Sequence, residues 1–185
     1  MKKSLFLLFA WCIAVVATAQ QEARVYAVGF YNQENLFDTC HDAGKKDYDF
    51  LPSGSYKWDG LKYGHKLRNM ARALADMGTD VLPHVGCAVI GLSEVENRRV
   101  LEDLVQQQPL AERGYAFAHI EGPDRRGIDC ALLYNPQLFT KQTERLVPYV
   151  MREAKDSAFY TRGFFTVTGE LAGEPVAFIV CHLPS

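Results

Sequence analysis

Runs of strand-forming apolar residues recur along this chain, and they constrain its fold more than any other feature. The sequences RVYAVGFY at residues 24–31 and VGCAVIGL at residues 85–92 are almost wholly apolar, which predicts two largely buried strands. The second half of the chain predicts four more strands, at residues 115–120, 128–134, 164–171 and 176–183. Residues 169–175 have the composition of a turn and predict a hairpin between the last two strands.

Two helices are predicted among these strands. In residues 61–77, Leu67, Met70, Ala71, Leu74 and Met77 recur at helical spacing and form one apolar face. Gly78 then provides a C-terminal stop. A second helix is predicted from Asn97 or Arg98 to Gln108, with Pro109 beyond its end. Residues 38–60 are polar and contain Gly, Pro and Ser, and so predict a long loop before the first helix.

The order of these elements is strand, long loop, helix, strand, helix and then several strands. Helices are therefore concentrated in the first half, and they do not alternate regularly with strands as a doubly wound parallel sheet requires. The pattern predicts an α/β (α+β) layered domain built on a mixed sheet.

The first 19 residues have the pattern of a secretory signal peptide. Lys2 and Lys3 precede an apolar run at residues 5–16, and Ala17, Thr18 and Ala19 fit a small-x-small cleavage site. The alternative is an uncleaved membrane anchor, but the run is short for a bilayer. We therefore expect residues 20–185 to be exported to the periplasm or the extracellular space, with no transmembrane segment in the mature chain.

Charge and cysteine content limit the function classes. The formal charge is −2, and losing the two positive charges of Lys2 and Lys3 with the signal peptide would leave −4. This argues against a tight, sequence-independent nucleic-acid binder. Of the mature cysteines, Cys87, Cys130 and Cys181 lie in apolar runs and are expected to be buried free thiols, while Cys40 lies in the long loop. The sequence contains no C-x-x-C pair, so it does not indicate a zinc ribbon. No disulfide pair can be assigned from the sequence.

Polar clusters lie where the predicted strands begin or end. They occupy residues 32–35, 93–97 and 124–129, and the last predicted strand carries His182 near its end. Sites in α/β enzymes commonly form at such sheet edges. Carboxylate and amide oxygens suit Mg²⁺, with Mn²⁺ or Ca²⁺ as alternatives, and a histidine can donate to a phosphate. The hypothesis from the residues is metal-assisted phosphoryl hydrolysis.

Each of these residues also has a structural interpretation. Asn32 and Asn35 can turn the chain after a strand, while Glu96 and Asn97 can serve the N-terminus of the following helix. Arg125 and Arg126 can be solvated loop charges. Asp129 opens a strand, where aspartate is disfavoured, and therefore predicts a specific partner. His84 and His119 are expected to be structural or exposed.

Four segments together resemble the endonuclease/exonuclease/phosphatase superfamily, in its exported bacterial branch. They are YNQENLFD at residues 31–38, IGLSEVEN at 90–97, DRRGIDCALLYNP at 124–136 and VCHLPS at 180–185. The resemblance implies a DNase-I-like fold, a two-layered β-sandwich flanked by helices, of which residues 20–185 form the N-terminal part and which is incomplete at the C-terminus.

The resemblance also implies roles for particular residues. Glu94 would be the principal ligand of Mg²⁺, with Asn32 supporting both the metal and the phosphate and Glu34 a weaker third ligand. His182 would contact the scissile phosphate, while Asp129 and Arg126 would shape the substrate face. Gln33 stands where relatives usually have a small apolar residue, and Leu183 where this branch often has Trp; neither is expected to abolish the site.

The family's later Gly-Asp-x-Asn and Ser-Asp-His segments have no counterpart in these 185 residues. Because the resemblance assigns the water-orienting aspartate to them, we expect little or no hydrolase activity from this chain alone.

The substrate would be a phosphoester: nucleic acid, phosphorylated lipid or nucleotide. The alternative is a secreted non-catalytic or degenerate module of the same fold. A hydrolase using Cys181 and His182 is disfavoured, because adjacent strand residues point to opposite faces. The sequence does not predict an oligomeric state.

Overall fold

The computed structural model describes residues 24–152 and 158–183. The predicted signal peptide and its cleavage site lie outside the described residues. No helix in the described part of the chain is long and apolar enough to cross a membrane.

A four-stranded sheet is built from the predicted apolar runs and two shorter strands. Its strands are β1 (Ala27–Leu36), β2 (Cys87–Val95), β3 (Ala116–His119) and β4 (Asp129–Tyr134), in the order β1-β2-β4-β3. β1 and β2 are parallel, whereas β4 is antiparallel to both of its neighbours. The predicted mixed sheet is confirmed.

Helices cover one face of this sheet. α1 (Gly60–Asp76) and α2 (Arg98–Val105) lie close to their predicted positions. Each is capped at its N-terminus, by the side chain of Asp59 for α1 and of Asn97 for α2. Their apolar faces and those of the sheet form one core cluster, whose members include Leu67, Leu74, Ile90, Leu92, Val100, Leu101 and Leu104.

A short third helix, α3 (Gln108–Ala111), was not predicted. Pro109 was expected beyond the end of a helix, but it lies in the first turn of this one. A proline is compatible with that position, because the N–H groups of a first turn have no partner within the helix.

A second sheet has three antiparallel strands, β5 (Phe139–Arg152), β6 (Ala158–Leu171) and β7 (Glu174–Cys181). The predicted hairpin between β6 and β7 is confirmed. Ala172 and Gly173 form its two-residue turn, and both have positive φ, as a type I′ turn requires. β5 was missed, because half of its sequence FTKQTERLVPYVMR is polar and it contains Pro148. It lies at the edge of its sheet, where both features are tolerated.

The two sheets pack face to face. β4 contacts β6 and β7, and β2 contacts β7. Between the sheets lies a second core cluster that includes Val89, Ala118, Leu132, Phe139, Phe165, Val167 and Val180. The protein is therefore a two-layered β-sandwich with helices on the outer face of one sheet, as the resemblance implied.

The long loop before α1 is organised by aromatic side chains. The Phe37 and Phe50 rings stack at 4.1 Å, and Trp58 Nε1 donates to the Phe37 carbonyl at 2.9 Å. One short 3₁₀ turn, Tyr48–Phe50, interrupts the loop. These contacts fix the loop against the end of β1.

The cysteines follow the prediction in part. Cys87 and Cys130 are buried free thiols, but Cys181 is exposed. It lies on β7, an edge strand, where Val180 faces the sandwich core and the adjacent Cys181 points away from it.

Candidate functional site

Two neighbouring strands become irregular at the same edge of the first sheet. β1 continues through its polar cluster to Leu36, and β2 continues to Val95, so residues 32–35, Ser93 and Glu94 lie within the strands and not after them as predicted. Glu96 and Asn97 follow β2, as predicted. The β1–β2 register shifts between Asn32 and Leu36, and the β2–β4 register shifts between Ser93 and Val95. Glu94 is thus the residue of a β-bulge, a feature that re-aims side chains next to functional sites.

Left-handed backbone concentrates at this bulge. Glu34, Asn35 and Glu94 have φ values of 51°, 62° and 60°. Residues other than glycine rarely adopt this conformation, and each such residue costs on the order of 1–3 kcal/mol. The contacts around the bulge must therefore hold the backbone in this state.

Glu94 has only 15% of its side chain exposed. Its Oε2 accepts the Asn35 N–H at 2.8 Å. Its Oε1 faces His182 Nε2 at 3.6 Å, which is beyond hydrogen-bond length. The carboxylate is thus fixed by the backbone of β1 through one oxygen, while the other oxygen is directed toward His182.

Asn32 and Glu34 lie beside Glu94. Asn32 is in register with Ser93, and its Oδ1 accepts the Glu34 N–H at 2.8 Å. The turn-forming interpretation of Asn32 therefore describes one of its contacts. A carbonyl oxygen has two lone pairs, so this hydrogen bond leaves acceptor capacity for a ligand. The Glu34 carboxylate is exposed to solvent.

Lys66 joins this group from α1 and was not identified from the sequence. Its Nζ donates to the Glu34 carbonyl at 2.5 Å and lies 5.9 Å from the centre of the Trp58 ring. Burial lowers the pKa of Lys66, and this is opposed by the charges of Glu34 and Glu94. The sequence placed Lys66 off the apolar face of the helix, which gave no sign that it points to the site.

His182 follows β7 and brings the second sheet to the site. Burial, and secondarily the charge of Arg162, lower the pKa of His182 below its ordinary value, although the charge of Glu94 opposes this. The His182 Nδ1 is buried without a hydrogen-bond partner.

Asp129 lies apart from this group, in a buried contact with His119. His119 Nε2 is 3.2 Å from Asp129 Oδ2, and the Gly122 N–H donates to both Asp129 oxygens at 3.1 and 3.0 Å. These are the partners that an aspartate opening a strand led us to expect. Asp129 thus orders the loop that leads to Arg126.

Arg126 is on that loop, with 54% of its side chain exposed. Its N–H donates to Asp124 Oδ1 at 2.8 Å, and its Nε is 3.8 Å from the same oxygen. The charge of Arg126 contributes to lowering the pKa of His182. The guanidinium is therefore accessible to a ligand.

Glu96 and Asn97 have structural contacts. Asn97 Oδ1 caps α2 by accepting the Val100 N–H at 3.1 Å. Glu96 Oε2 accepts the Asp38 N–H at 2.7 Å, and burial raises the pKa of Glu96 to about 8. Asp38 is also paired with Arg99. These contacts fasten the end of β1 to the end of β2 behind the bulge.

The donors around Glu94 fit a hard divalent cation. Glu94, Asn32 and Glu34 offer carboxylate and amide oxygens, the ligand types that Mg²⁺ takes together with water. A second group of potential ligands consists of His119, Glu121 and Asp129, whose ligand atoms lie within 4.8 Å of one another. There the Asp129 oxygens already accept hydrogen bonds from a backbone N–H, so a cation would compete with these bonds.

The chain thus combines a β-sandwich with a group of polar side chains at one end of the first sheet. Acidic and amide side chains come from that sheet, and a histidine comes from the end of the second sheet. A family model described as the endonuclease/exonuclease/phosphatase family matches residues 27–185. The chain belongs to that family.

Comparison with solved structures gives a weaker likeness. The crystal structure of ANGEL2, a 2′,3′-cyclic phosphatase, aligns with 62% of this chain at a TM-score of 0.36, and the aligned sequences are 17% identical. The matched region spans 29% of the ANGEL2 chain. A search of curated proteins found no match.

Proposed function

We propose that this chain carries the metal- and phosphate-binding part of an exported, metal-dependent phosphoester hydrolase. The observation that carries the proposal is the bulge at Glu94, which directs a largely buried carboxylate toward His182 at 3.6 Å. Membership of the endonuclease/exonuclease/phosphatase family supports the same reaction class. The signal-peptide pattern of residues 1–19 supports export to the periplasm or beyond.

The residues have separate roles in this proposal. Glu94 is the principal metal ligand, with Asn32 and Glu34 as supporting oxygen donors. When bound, Mg²⁺ would polarise a phosphoryl oxygen and offset its developing negative charge. His182 donates a hydrogen bond to a phosphate oxygen, because an imidazole carries at least one N–H whether it is neutral or protonated.

The substrate face is formed by the loop around residues 122–129. Arg126 contributes an exposed guanidinium suited to a second phosphate oxygen. Asp129 acts through the backbone of that loop by accepting the Gly122 N–H. The substrate is a phosphoester of a nucleic acid, a nucleotide or a phosphorylated lipid.

In this proposal the residues that bind the metal and the phosphoester are distinct from the residue that orients the attacking water. The resemblance assigns the water-orienting aspartate to a later family segment that has no counterpart in the 185 residues. We therefore expect the chain by itself to bind the metal and a phosphoester with little or no hydrolysis. Rapid Mg²⁺-dependent hydrolysis of bis(4-nitrophenyl) phosphate by the purified chain would contradict this part of the proposal.

Metal binding to the purified chain tests the central assignment. Titration with Mn²⁺, followed by electron paramagnetic resonance, should show a bound ion in the wild type and none in Glu94→Gln. Glu102→Gln is the matched control, because the Glu102 side chain is half exposed and lies on α2 away from the bulge. Loss of the ion in Asp129→Asn but not in Glu94→Gln would instead place the cation at His119, Glu121 and Asp129. Failure of the wild type to bind metal would favour a non-catalytic module.

A further inference from the structure

Arg162 on β6 is a buried cation. Only 5% of its side chain is exposed. It precedes Gly163, which has φ +73°, and the β5–β6 register shifts here, with Arg162 and Gly163 opposite Pro148 alone. This two-against-one arrangement is a β-bulge, and the Arg162 side chain at it reaches the neighbouring loop and the end of β7.

The guanidinium of Arg162 joins two separate parts of the chain. Its Nε donates to the His182 backbone carbonyl at 2.9 Å. Its Nη1 donates to Asp124 Oδ2 at 3.3 Å. A planar guanidinium can make both bonds at once from one fixed fork, which an ammonium group cannot reproduce.

Asp124 extends this connection to the substrate face. It is buried, and its Oδ1 accepts the Arg126 N–H at 2.8 Å. Thr161 Oγ1 lies 3.4 Å from Asp124 Oδ2. The Lys45 ammonium donates to the carbonyls of Gly122 and Asp124 at 2.9 and 3.1 Å, which holds the rest of the same loop.

We propose that the buried Asp124–Arg162 pair is a positioning unit that sets the backbone of both phosphate-facing residues, His182 and Arg126. The proposal rests on the function proposed above and extends it to residues that touch neither the metal nor the substrate. Arg162 holds His182 through its carbonyl, and Asp124 holds Arg126 through its N–H. One ion pair therefore fixes the separation of the two groups that receive the phosphate.

The test compares binding of two probes to the full chain. The first probe is Mn²⁺ alone, and the second is bis(4-nitrophenyl) phosphate in the presence of Mg²⁺, measured by calorimetry. Arg162→Gln should weaken binding of the phosphodiester by roughly tenfold to a hundredfold, the scale of losing one hydrogen bond to a charged group, and leave Mn²⁺ binding unchanged. Arg162→Lys should bind with intermediate affinity, because it keeps the charge but loses the fork. Arg72→Gln, an exposed arginine on α1, is the matched control.

A double-mutant cycle separates positioning from general damage. If Arg162 acts partly through His182, Arg162→Gln should weaken phosphodiester binding less in the His182→Ala background than in the wild type, because only its effect on Arg126 remains. Fully additive losses, or unchanged phosphodiester binding in Arg162→Gln, would overturn the proposal. If Arg162→Gln fails to fold, the double variant Asp124→Asn/Arg162→Gln removes both buried charges and should show the same split between the probes. Failure of the wild type to bind Mn²⁺ would instead count against the proposed function.

Discussion

The backbone N–H of Asn35 donates a 2.8 Å hydrogen bond to Oε2 of Glu94, and both residues are left-handed, with φ of 62° and 60°. The two strands that carry them are parallel neighbours. Their bulges therefore stabilise each other, because the Glu94 carboxylate satisfies an N–H that the irregular end of β1 directs away from its neighbour. The candidate metal ligand is positioned by backbone geometry at the end of the sheet.

The strain at Glu94 can be measured by comparing two variants that both lack the carboxylate. Glu94→Gly should be more stable than Glu94→Ala by about 1 kcal/mol, because only glycine adopts positive φ without a Cβ penalty. The measurement is the free energy of unfolding in urea. If Glu94→Ala proved equally stable, residue 94 would not be left-handed in solution, and the bulge would have a different geometry.

The bulge beside Arg162 gives a second stability prediction. A Cβ on Gly163 would lie 2.6 Å from the Val147 carbonyl oxygen, and the residue has φ +73°. Gly163→Ala should therefore lower the free energy of unfolding by about 1–3 kcal/mol through backbone strain and overpacking.

Gly173→Ala is the control for this effect. Gly173 has φ +81° but nothing within 4 Å of an added Cβ, so its substitution should carry only the strain of positive φ. Equal losses in the two variants would show that the β6 backbone moves to accommodate the methyl group, and that the bulge is less rigid than its contacts indicate.

The sequence predicted the apolar parts of this fold better than the parts that position side chains. β2 and α1 follow from the sequence, β2 from an apolar run that is buried and α1 from apolar residues at helical spacing. β1 was also predicted as a strand, but the expectation that it is largely buried was wrong: it lies at the edge of its sheet, and Val28 and Phe30 are each 54% exposed. β5 was missed because an edge strand tolerates the polar residues and the proline that it contains. The strand ends were also placed too early, since Glu94 and Asn35 belong to bulges whose left-handed backbone has no signature without glycine.

The same limit applies to the candidate site. Glu94, Asn32 and His182 were identified from motifs, but their mutual geometry depends on register shifts that no spacing rule specifies. Arg162 precedes Gly163 in a segment that reads as an ordinary approach to a strand. Its burial depends on pairing with Asp124, which is 38 residues away in the sequence. Local sequence patterns do not predict a pairing over that separation.

Thiol reactivity should distinguish the buried cysteine Cys130 from the exposed cysteines Cys40 and Cys181. Burial raises the pKa of the Cys130 thiol to about 12, so at pH 8 only on the order of one molecule in 10⁴ carries the reactive thiolate. Cys181 and Cys40 are exposed and should react rapidly with a maleimide or with Ellman's reagent.

Peptide mapping by mass spectrometry after brief labelling at pH 8 gives the measurement, and labelling in denaturant gives the control in which Cys130 reacts as well. Rapid labelling of Cys130 in the native protein would mean that the sandwich opens readily between β4 and β7. Protection of Cys181 would mean that the exposed face of β7 is covered in solution.

Gln33 provides a prediction in the opposite direction, toward greater stability. Its side chain is fully buried on β1, and neither its Oε1 nor its Nε2 has a hydrogen-bond partner. Burying an amide without partners costs about 1–3 kcal/mol, whereas methionine has a similar shape and length without that cost. Gln33→Met should therefore raise the free energy of unfolding by about 1–3 kcal/mol.

The exposed Gln137→Met is the control for this substitution, and its effect should stay within about 0.5 kcal/mol. Chemical denaturation of the three proteins gives the comparison. Because Gln33 precedes Glu34 at the irregular end of β1, Mn²⁺ binding should be measured on the same samples. A destabilised Gln33→Met would show that the amide is hydrogen-bonded in solution, and a loss of Mn²⁺ binding with no loss of stability would give Gln33 a part in holding the site.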